Sequence, residues 1–297
     1  MSATLLGFYD SFKKKSLKDN AVIPVLFINT VICSLIFLPL IVLSATGTLP
    51  SSCPFHVGGG GWEMHRYVIL KSVIVLSSWL AGYIGMKHLP LTIVGPINAT
   101  RPVMVLIGAL LVYGERFNAW QWAGVAVAVA SFFLLSRSGK KEGINFAHDK
   151  WIGCIVLAAI LGAVSGLYDK YLMASPSDGG VGLDRMAVQS WYNIYQSAMM
   201  LLMLAIIWFP RRKADRFHWS WSIIGISIFL SAADFLYFYA LSLPSAMISI
   251  ISMVRRSSVL VSFLFGAIFF HERNLKGKAI DLSLVLLSMI LLFIGSK

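Results

Sequence analysis

The chain has 297 residues, of which 58% are hydrophobic and 13% are charged, and its formal net charge is +12. A soluble domain carries about 25% charged residues, so this composition excludes an ordinary soluble globular protein. It indicates a polytopic helical membrane protein, in which the basic residues set the topology instead of binding nucleic acid.

Nine apolar stretches are long enough to cross a bilayer as helices. In chain order they are 22–46, 67–87, 90–113, 119–137, 151–173, 187–209, 221–241, 245–270 and 278–296. The N-terminal stretch MSATLLGFYDSFKKK has the character of the end of a tenth helix. Its helical part of about twelve residues would rise only about 18 Å, too short for a hydrocarbon core of about 30 Å. The sequence therefore predicts an all-α membrane protein with nine full transmembrane helices and a short N-terminal stub.

Short matches relate the two halves of the chain, which is a pattern to seek before any other. The matched pairs are GFYDSF at 7–12 with GLYDKY at 166–171, HLPLT at 88–92 with SLPSA at 242–246, and YGER at 113–116 with FHER at 270–273. The helix before Gly166 is longer than the stretch before its match Gly7, so the first helix is expected to be incomplete in this chain.

These matches predict a first repeat over 1–137, a polar linker over 138–150 and a second repeat over 151–297. Because each repeat has five helices, an odd number, the two are expected to lie upside down relative to each other. Inverted repeats of this kind are typical of secondary transporters, whose substrate sites lie near the membrane midplane.

The basic residues of the loops lie mostly on one side of the predicted membrane. The positive-inside rule places that side in the cytoplasm and both termini outside. We therefore expect a multi-pass protein of the cell membrane, which for a bacterial chain is the inner membrane.

Two five-helix halves, each with a Leu-Pro turn before its fourth helix and a Glu-Arg pair after it, resemble the drug/metabolite transporter superfamily. The ten-helix EamA-type branch is the most similar, and the resemblance covers nearly the whole chain. It implies a secondary transporter with alternating access between inverted halves. It does not fix a substrate, because that branch moves amino acids, sugars, nucleotide precursors, cofactors and drugs.

Two adjacent arginines, Arg255 and Arg256, interrupt the apolar span at 245–270. Insertion scales give each a cost of about 2.5–3.5 kcal/mol at the centre of a membrane helix. At 100° per residue the two arginines share one half of the helix with four serines and a glycine, while Ser257 is an exception. The companions are Ser249, Ser252, Ser258, Ser262 and Gly266. This polar face predicts that the arginines point into the bundle or into an aqueous cavity.

The span at 221–241 supplies a counter-ion for this face. Asp234 is predicted to lie about 10 Å from the outer end of its helix, and the two arginines about 15 Å from the same end. Asp234 is therefore expected to pair with one arginine, with Tyr237 on the same side of the helix. One carboxylate cannot neutralise two guanidinium groups, so a positive charge is expected to remain.

The span at 90–113 adds Arg101, with Asn98 one turn earlier. Pro102 removes a backbone donor and predicts a bend at this point. Arginines of both halves are thus expected to approach one midplane volume, where a guanidinium can bind a carboxylate or phosphate in a fork. Adjacent basic residues also resemble the sugar-phosphate and nucleotide-sugar branch, which favours an anionic substrate. The alternative is a buried ion-pair lock between helices.

The span at 187–209 places Gln189, Tyr192, Asn193 and Gln196 within an arc of 100°. These side chains either line a cavity or form hydrogen bonds between helices, worth about 0.6 kcal/mol each in membranes. The sequence leaves both interpretations open.

Three further charged residues are given structural roles. Asp10 and Asp169 each follow a tyrosine near a helix end, and we expect caps or interfacial anchors instead of proton carriers. Lys71 is expected near the outer end of its helix, where its side chain can reach the interface.

The sequence thus predicts a secondary active transporter of a small anionic or zwitterionic metabolite, coupled to protons through Asp234 or working by exchange. The predicted substrate-binding residues are Asn98, Arg101, Gln189, Tyr192, Asn193, Gln196, Asp234, Tyr237, Arg255 and Arg256. We expect no catalytic residue, no cofactor and no metal site, because no HExxH, nucleophile elbow or P-loop occurs. The partners are the substrate and the lipid bilayer, not nucleic acid, and one chain is expected to suffice, with a dimer left open.

Several alternatives remain. A proton-coupled exporter of cationic drugs would use a glutamate in the first helix, which MSATLLGFYDSF lacks. A lipid-linked flippase and a non-transporting membrane subunit belong to different classes. An intramembrane aspartyl protease is disfavoured, because the glycines that should precede its second aspartate are absent.

Overall fold

The computed structural model describes residues 1–113, 118–140, 148–243, 248–270 and 275–295. The two Glu-Arg loops, the Pro of the second Leu-Pro turn and most of the predicted linker lie outside the described residues. Their ranges are 114–117, 271–274, 244–247 and 141–147.

All regular secondary structure in the described residues is helical, and these residues contain no strand, as the composition predicts. The α-helices are α1 (Ser2–Leu17), α2 (Val22–Ala45), α3 (Trp62–His88), α4 (Leu91–Ala99), α5 (Arg101–Tyr113), α6 (Ala119–Lys140), α7 (Lys150–Met173), α8 (Arg185–Met203), α9 (Ser222–Leu241), α10 (Ile248–Arg256), α11 (Ser258–Ile268) and α12 (Leu275–Gly295). A π-helical turn and a 3₁₀ turn extend α8 to Arg211.

In the described part of the chain, seven helical stretches are long and apolar enough to cross a membrane. They are Val22–Ala45, Trp62–His88, Leu91–Gly108, Lys150–Met173, Arg185–Arg211, Ser222–Leu241 and Leu275–Gly295. The other two predicted spans are helical too, one as α6 and one as the pair α10 and α11. The chain is therefore an all-α, multi-pass membrane protein, and large apolar side chains such as Leu111 and Ile206 lie on its outer surface.

The span predicted over 90–113 is broken at Thr100, between α4 and α5. The Thr100 hydroxyl donates to the carbonyl of Ile97 at 2.7 Å, and the Thr100 amide donates to the same carbonyl at 3.2 Å. Pro102 lies in the first turn of α5, where its missing N–H removes no helical hydrogen bond. The predicted bend is thus a break, and Arg101 opens the second segment.

The continuous helix predicted over 245–270 is wrong, because Ser257 forms a turn between α10 and α11. Ser257 is the residue that did not fit the polar face. Its hydroxyl donates to the carbonyl of Val254 at 2.7 Å. Arg255 and Arg256 occupy the last turn of α10, where positive charge complements the helix dipole.

The main helix contacts join the predicted first repeat to the second. Helix α1 packs on α9, α3 on α7, α2 on α8, α6 on α12, and the broken pair α4 and α5 on α10 and α11. The α3 and α7 backbones approach closely at Gly85, where a Cβ would lie 2.6 Å from the Cδ1 of Ile155. The two halves therefore interlock around a shared core, while the repeat boundaries stay a prediction.

Candidate functional site

A central cavity of about 130 Å³ lies where the two halves meet. It is lined by residues of α1, α3, α4, α5 and α7 to α11. Its lining contains two more cations than anions, namely Lys13, Lys71, Arg101, Arg255 and Arg256 against Asp10, Asp169 and Asp234. This is the charged volume that the sequence predicts near the middle of the bundle.

Asp234 forms an ion pair with Arg255, which confirms the counter-ion predicted from helix depth. The hydroxyl of Tyr192 donates to Asp234 Oδ2 at 2.7 Å. The guanidinium of Arg255 lies 4.2 Å from the ring centroid of Tyr237, within cation–π range. Helices α8, α9 and α10 thus hold one neutral pair at the cavity wall.

A second ion pair joins Lys71 of α3 to Asp169 of α7, and the two side chains are only 2% and 6% exposed. Tyr237 donates to Asp169 Oδ2 at 3.2 Å. The Lys71 ammonium lies 5.1 Å from the ring centroid of Tyr192 and 5.0 Å from that of Phe238. The predictions that Lys71 reaches the interface and that Asp169 caps a helix are wrong, because each neutralises the other inside the bundle.

The third pair lies within α1, where Lys13 is 3.2 Å from Asp10. Ser262 of α11 donates to Asp10 Oδ2 at 3.3 Å, and Lys13 lies 4.4 Å from the ring centroid of Tyr9. The capping role predicted for Asp10 is also wrong, because the carboxylate lines the cavity.

The two remaining cations, Arg101 and Arg256, form no ion pair within the described residues. Arg101 donates to Asn98 Oδ1 at 3.0 Å, and the Nε atoms of both arginines are buried without a hydrogen-bond partner. Gly162 of α7 makes room for Arg101, since a Cβ there would lie 2.6 Å from the guanidinium carbon. The cavity therefore keeps two positive charges that no carboxylate of the described part neutralises.

Seven of the ten predicted substrate-binding residues line this cavity: Asn98, Arg101, Tyr192, Asp234, Tyr237, Arg255 and Arg256. Gln189, Asn193 and Gln196 do not. Gln189 donates to the carbonyl of Ser231 on α9 at 3.2 Å, and Ser34 on α2 donates to the carbonyl of Asn193 at 2.8 Å. Of the two interpretations left open, bonding between helices therefore holds for Gln189.

Four charged lining residues were not predicted as site residues: Asp10, Lys13, Lys71 and Asp169. The signal for the two aspartates was present, because the same Tyr-Asp pair occurs in both repeats. A charge inside a membrane span is by default a candidate functional group, and this rule applies to Lys71 as well.

Comparison with known proteins adds the family. The EamA-like transporter family matches residues 1–137. The resemblance to drug/metabolite transporters is therefore confirmed, and the EamA-type part supplies Asp10, Lys13, Lys71 and Arg101 to the cavity.

Two individual proteins are similar to the chain. A Sinorhizobium sp. protein named "Uncharacterized transporter in cobO 3'region" is 30% identical over 95 residues, which are 32% of this chain and 64% of that protein. The chain thus spans less than two thirds of the length of this relative. A solved structure described as "Crystal structure of protein" has a TM-score of 0.64 at 13% identity, and the match covers 99% of this chain and 98% of the other. At this identity the likeness shows the fold alone.

Proposed function

We propose that the protein is a secondary active transporter of a small organic anion or zwitterion in the cell membrane, working by alternating access around the central cavity. The observation that carries the proposal is the pair of unmatched arginines, Arg101 and Arg256, that line one cavity. No chemical step is part of it. The transporter family of residues 1–137 and the name of the Sinorhizobium relative support transport itself.

The unmatched charge favours an anionic ligand. Desolvating a guanidinium costs several kcal/mol unless a counter-ion and hydrogen bonds replace the water. Arg101 and Arg256 both line the cavity without an ion-pair partner among the described residues, so their guanidinium groups can meet a ligand there. A carboxylate or phosphate accepts two parallel hydrogen bonds from one guanidinium, a geometry that suits these residues.

The lining carboxylates argue against the alternative of a cationic drug. Asp10, Asp169 and Asp234 each already have a lysine or arginine of the protein as partner. A cationic ligand would have to displace one of these partners and would also face the two excess positive charges. The cavity therefore supports anion transport better than export of cations.

The broken helices suit a transport mechanism. The N-terminal end of α5, at Arg101, and that of α11, at Ser258, both lie at the cavity. Helix N-termini carry a partial positive charge, and discontinuous helices commonly form the substrate sites of secondary transporters. Because α4 and α5 pack on α10 and α11, the site spans both halves, so that their relative movement could open it to either side in turn.

Uptake into proteoliposomes tests the proposal. The probes are radiolabelled succinate, glycerol 3-phosphate and, as a cation, tetraphenylphosphonium. We expect uptake of at least one anion by the wild type and its loss in Arg101→Gln and Arg256→Gln. Arg66→Gln is the matched control, because Arg66 pairs with Glu63 at the exposed end of α3 and does not line the cavity.

Unchanged anion uptake in both cavity variants would overturn the proposal, and so would uptake of tetraphenylphosphonium alone. Absence of flux for every probe, with none of them raising the thermal stability of the wild type, would contradict it in favour of a flippase or a non-transporting subunit.

A further inference from the structure

We propose that Asp169, paired with Lys71, is the proton-binding site that couples anion binding to a proton gradient. This inference rests on the proposed transport function and deepens it. In this proposal Asp169 takes the proton-coupling role that the sequence suggested for Asp234. Geometry, charge and the chemistry of the partner cation all distinguish Asp169 from the other two carboxylates of the cavity.

The position of the pair is the first ground. Among the described residues, Lys71 and Asp169 form the one buried ion pair that joins the two predicted halves. A second pair that joins them, Lys87 and Asp215, is longer at 3.7 Å, and its side chains are 25% and 44% exposed. Neutralising Asp169 would therefore remove a desolvated attraction between α3 and α7, the helices that pack across the halves.

The identity of the partner is the second ground. Asp234 is held by Arg255, and a guanidinium stays protonated in proteins at every physiological pH. The Tyr192 hydroxyl also donates to Asp234 Oδ2 at 2.7 Å. Asp169 has instead a lysine, whose ammonium is a point charge on a flexible stem and lacks the planar fork of donors of a guanidinium. Its phenol contact, from Tyr237, is the longer one at 3.2 Å.

Asp10 is excluded by topology. Its partner Lys13 lies one turn away on the same helix, α1. Protonation of Asp10 would change the charge of the cavity but would release no ion pair between helices. Asp169 alone among the three carboxylates combines a lysine partner with an ion pair that crosses the halves.

Charge balance gives the direction of coupling. A hydronium ion of the cavity water transfers its proton to the Asp169 carboxylate: one O–H bond of the hydronium breaks, which leaves water, and one O–H bond forms on the carboxyl group, which becomes a neutral acid. Lys71 then loses its counter-ion and joins Arg101 and Arg256 as a third unmatched cation of the cavity. Protonation therefore favours anion binding, and by thermodynamic linkage a bound anion favours protonation. The protein should carry the anion and the proton in the same direction.

Among the described residues around Asp169, no second group would take its place. The charged and titratable groups that face the pair are Tyr192 of α8, Asp234 and Tyr237 of α9, Arg255 of α10 and Tyr168 of its own helix. Helix α5 contributes Arg101, about two turns away along α7 at Gly162. Tyrosines and arginines do not exchange protons near neutral pH, and Asp234 is held by Arg255.

The first experiment needs no substrate. Infrared difference spectra of the protein in liposomes, with isotope-labelled aspartate, follow the band of protonated carboxyl groups across about pH 5–8. We expect a band that grows on acidification in the wild type and in Lys87→Gln and is missing in Asp169→Asn. A band that persists in Asp169→Asn, or no titrating band in the wild type, would overturn the proposal.

The second experiment measures anion affinity against pH, with succinate and glycerol 3-phosphate as probes. We expect wild-type affinity to rise on acidification by about 5–150-fold, the usual range for coupled sites. Asp169→Asn should hold the high affinity at every pH, because Lys71 lacks its counter-ion. Lys71→Gln keeps the titrating carboxylate but loses a cation, so it should bind the anion more weakly than the wild type at each pH. A flat profile in Asp169→Asn separates coupling from a purely structural role, whereas a pH profile unchanged in that variant contradicts it.

The double variant Lys71→Gln with Asp169→Asn covers the case in which a single variant fails to fold, because it leaves no buried charge unmatched. It should fold, bind the anion weakly and show no pH dependence, and a retained pH dependence would overturn the proposal. The two proposals fail separately. If no anion binds to the wild type, the proposed function fails, while the infrared titration still decides whether Asp169 binds a proton.

Discussion

Two polar regions inside the bundle look alike in sequence and differ in structure. The central cavity is lined by charged side chains of both halves around an open volume. The second region, between α2, α8 and α9, contains the neutral amides of Asn29, Gln189, Asn193 and Gln196, all buried and none lining the cavity. Both regions produce polar faces on apolar helices. The difference teaches that charge, more than polarity, marks the central cavity of this protein.

The physical reason lies in what each group needs. The NH₂ group of an amide can donate to a neighbouring backbone carbonyl, as that of Gln189 does to Ser231, and helices can pack around it without a counter-ion. A lysine or arginine needs a counter-ion and water, which keeps space open around it. Substitutions in the two regions should therefore differ in kind as well as in size.

The largest effect is expected from Asp234→Ala. This change leaves Arg255 buried without its carboxylate, and breaking such a pair costs about 3–5 kcal/mol. The free energy of unfolding, measured by denaturant titration in micelles, should fall by that amount. The double variant Asp234→Ala with Arg255→Met should recover most of the loss. Equal stability of the single variant and the wild type would contradict the charged character of this wall.

The next effect concerns binding more than folding. Arg256→Gln removes an unmatched cation. The free energy of unfolding should stay unchanged or rise, because the repulsion of Arg256 by the neighbouring cations Arg101 and Arg255 is removed. A hydrogen bond to a charged group contributes about 1.5–3 kcal/mol, so anion affinity should fall by about 10–150-fold. Calorimetric titration in micelles measures both enthalpy and affinity. A stability loss with unchanged affinity would make Arg256 a structural residue.

A smaller effect is expected at Gly162, which touches Arg101 from the opposite helix. Gly162→Ala should push the guanidinium aside and cost about 1–3 kcal/mol, partly in stability and partly in anion affinity. Gly153→Ala on the same helix is the matched control, because its new Cβ meets no atom within 4 Å. If the two alanine variants behave alike in binding assays, Arg101 does not hold the anion from its present position.

The smallest effect is expected in the amide region. Gln189→Leu removes one interhelical hydrogen bond and should cost about 0.6 kcal/mol of stability. Uptake of anions and its pH dependence should stay at the wild-type level, since Gln189 does not line the cavity. Loss of uptake with little change in thermal stability would show that the amide region takes part in transport, and the contrast between the two regions would fail.

The fold was predictable to a large extent, because bilayer thickness sets the length of a membrane helix and apolar runs in the sequence mark where each helix lies. The breaks at Thr100 and Ser257 were harder to place than the spans that contain them, because both segments are apolar enough to read as continuous helices. Ser257 carried a usable signal as the residue that did not fit the polar face. Pro102 indicated a disturbance in the other broken helix but not its position two residues earlier.

The candidate site was predictable where two charges lie on consecutive helices, as Asp234 and Arg255 do. It was not predictable where partners lie far apart in sequence. Lys71 and Asp169 meet only because α3 packs on α7, and neither helix alone indicates the other. Lys71 and Asp169 were therefore each assigned to a helix end or the interface. Burial of either ion would be costly without its partner, and the sequence did not show the partner.

The most direct test of the unmatched positive charge is a thermal-shift titration of the purified protein with succinate and glycerol 3-phosphate at constant ionic strength. A ligand that binds only the folded state raises its apparent stability by mass action. The account predicts that at least one anion stabilises the wild type and Arg66→Gln, and that neither anion stabilises the double variant Arg101→Gln with Arg256→Gln. Equal stabilisation of wild type and double variant would contradict it.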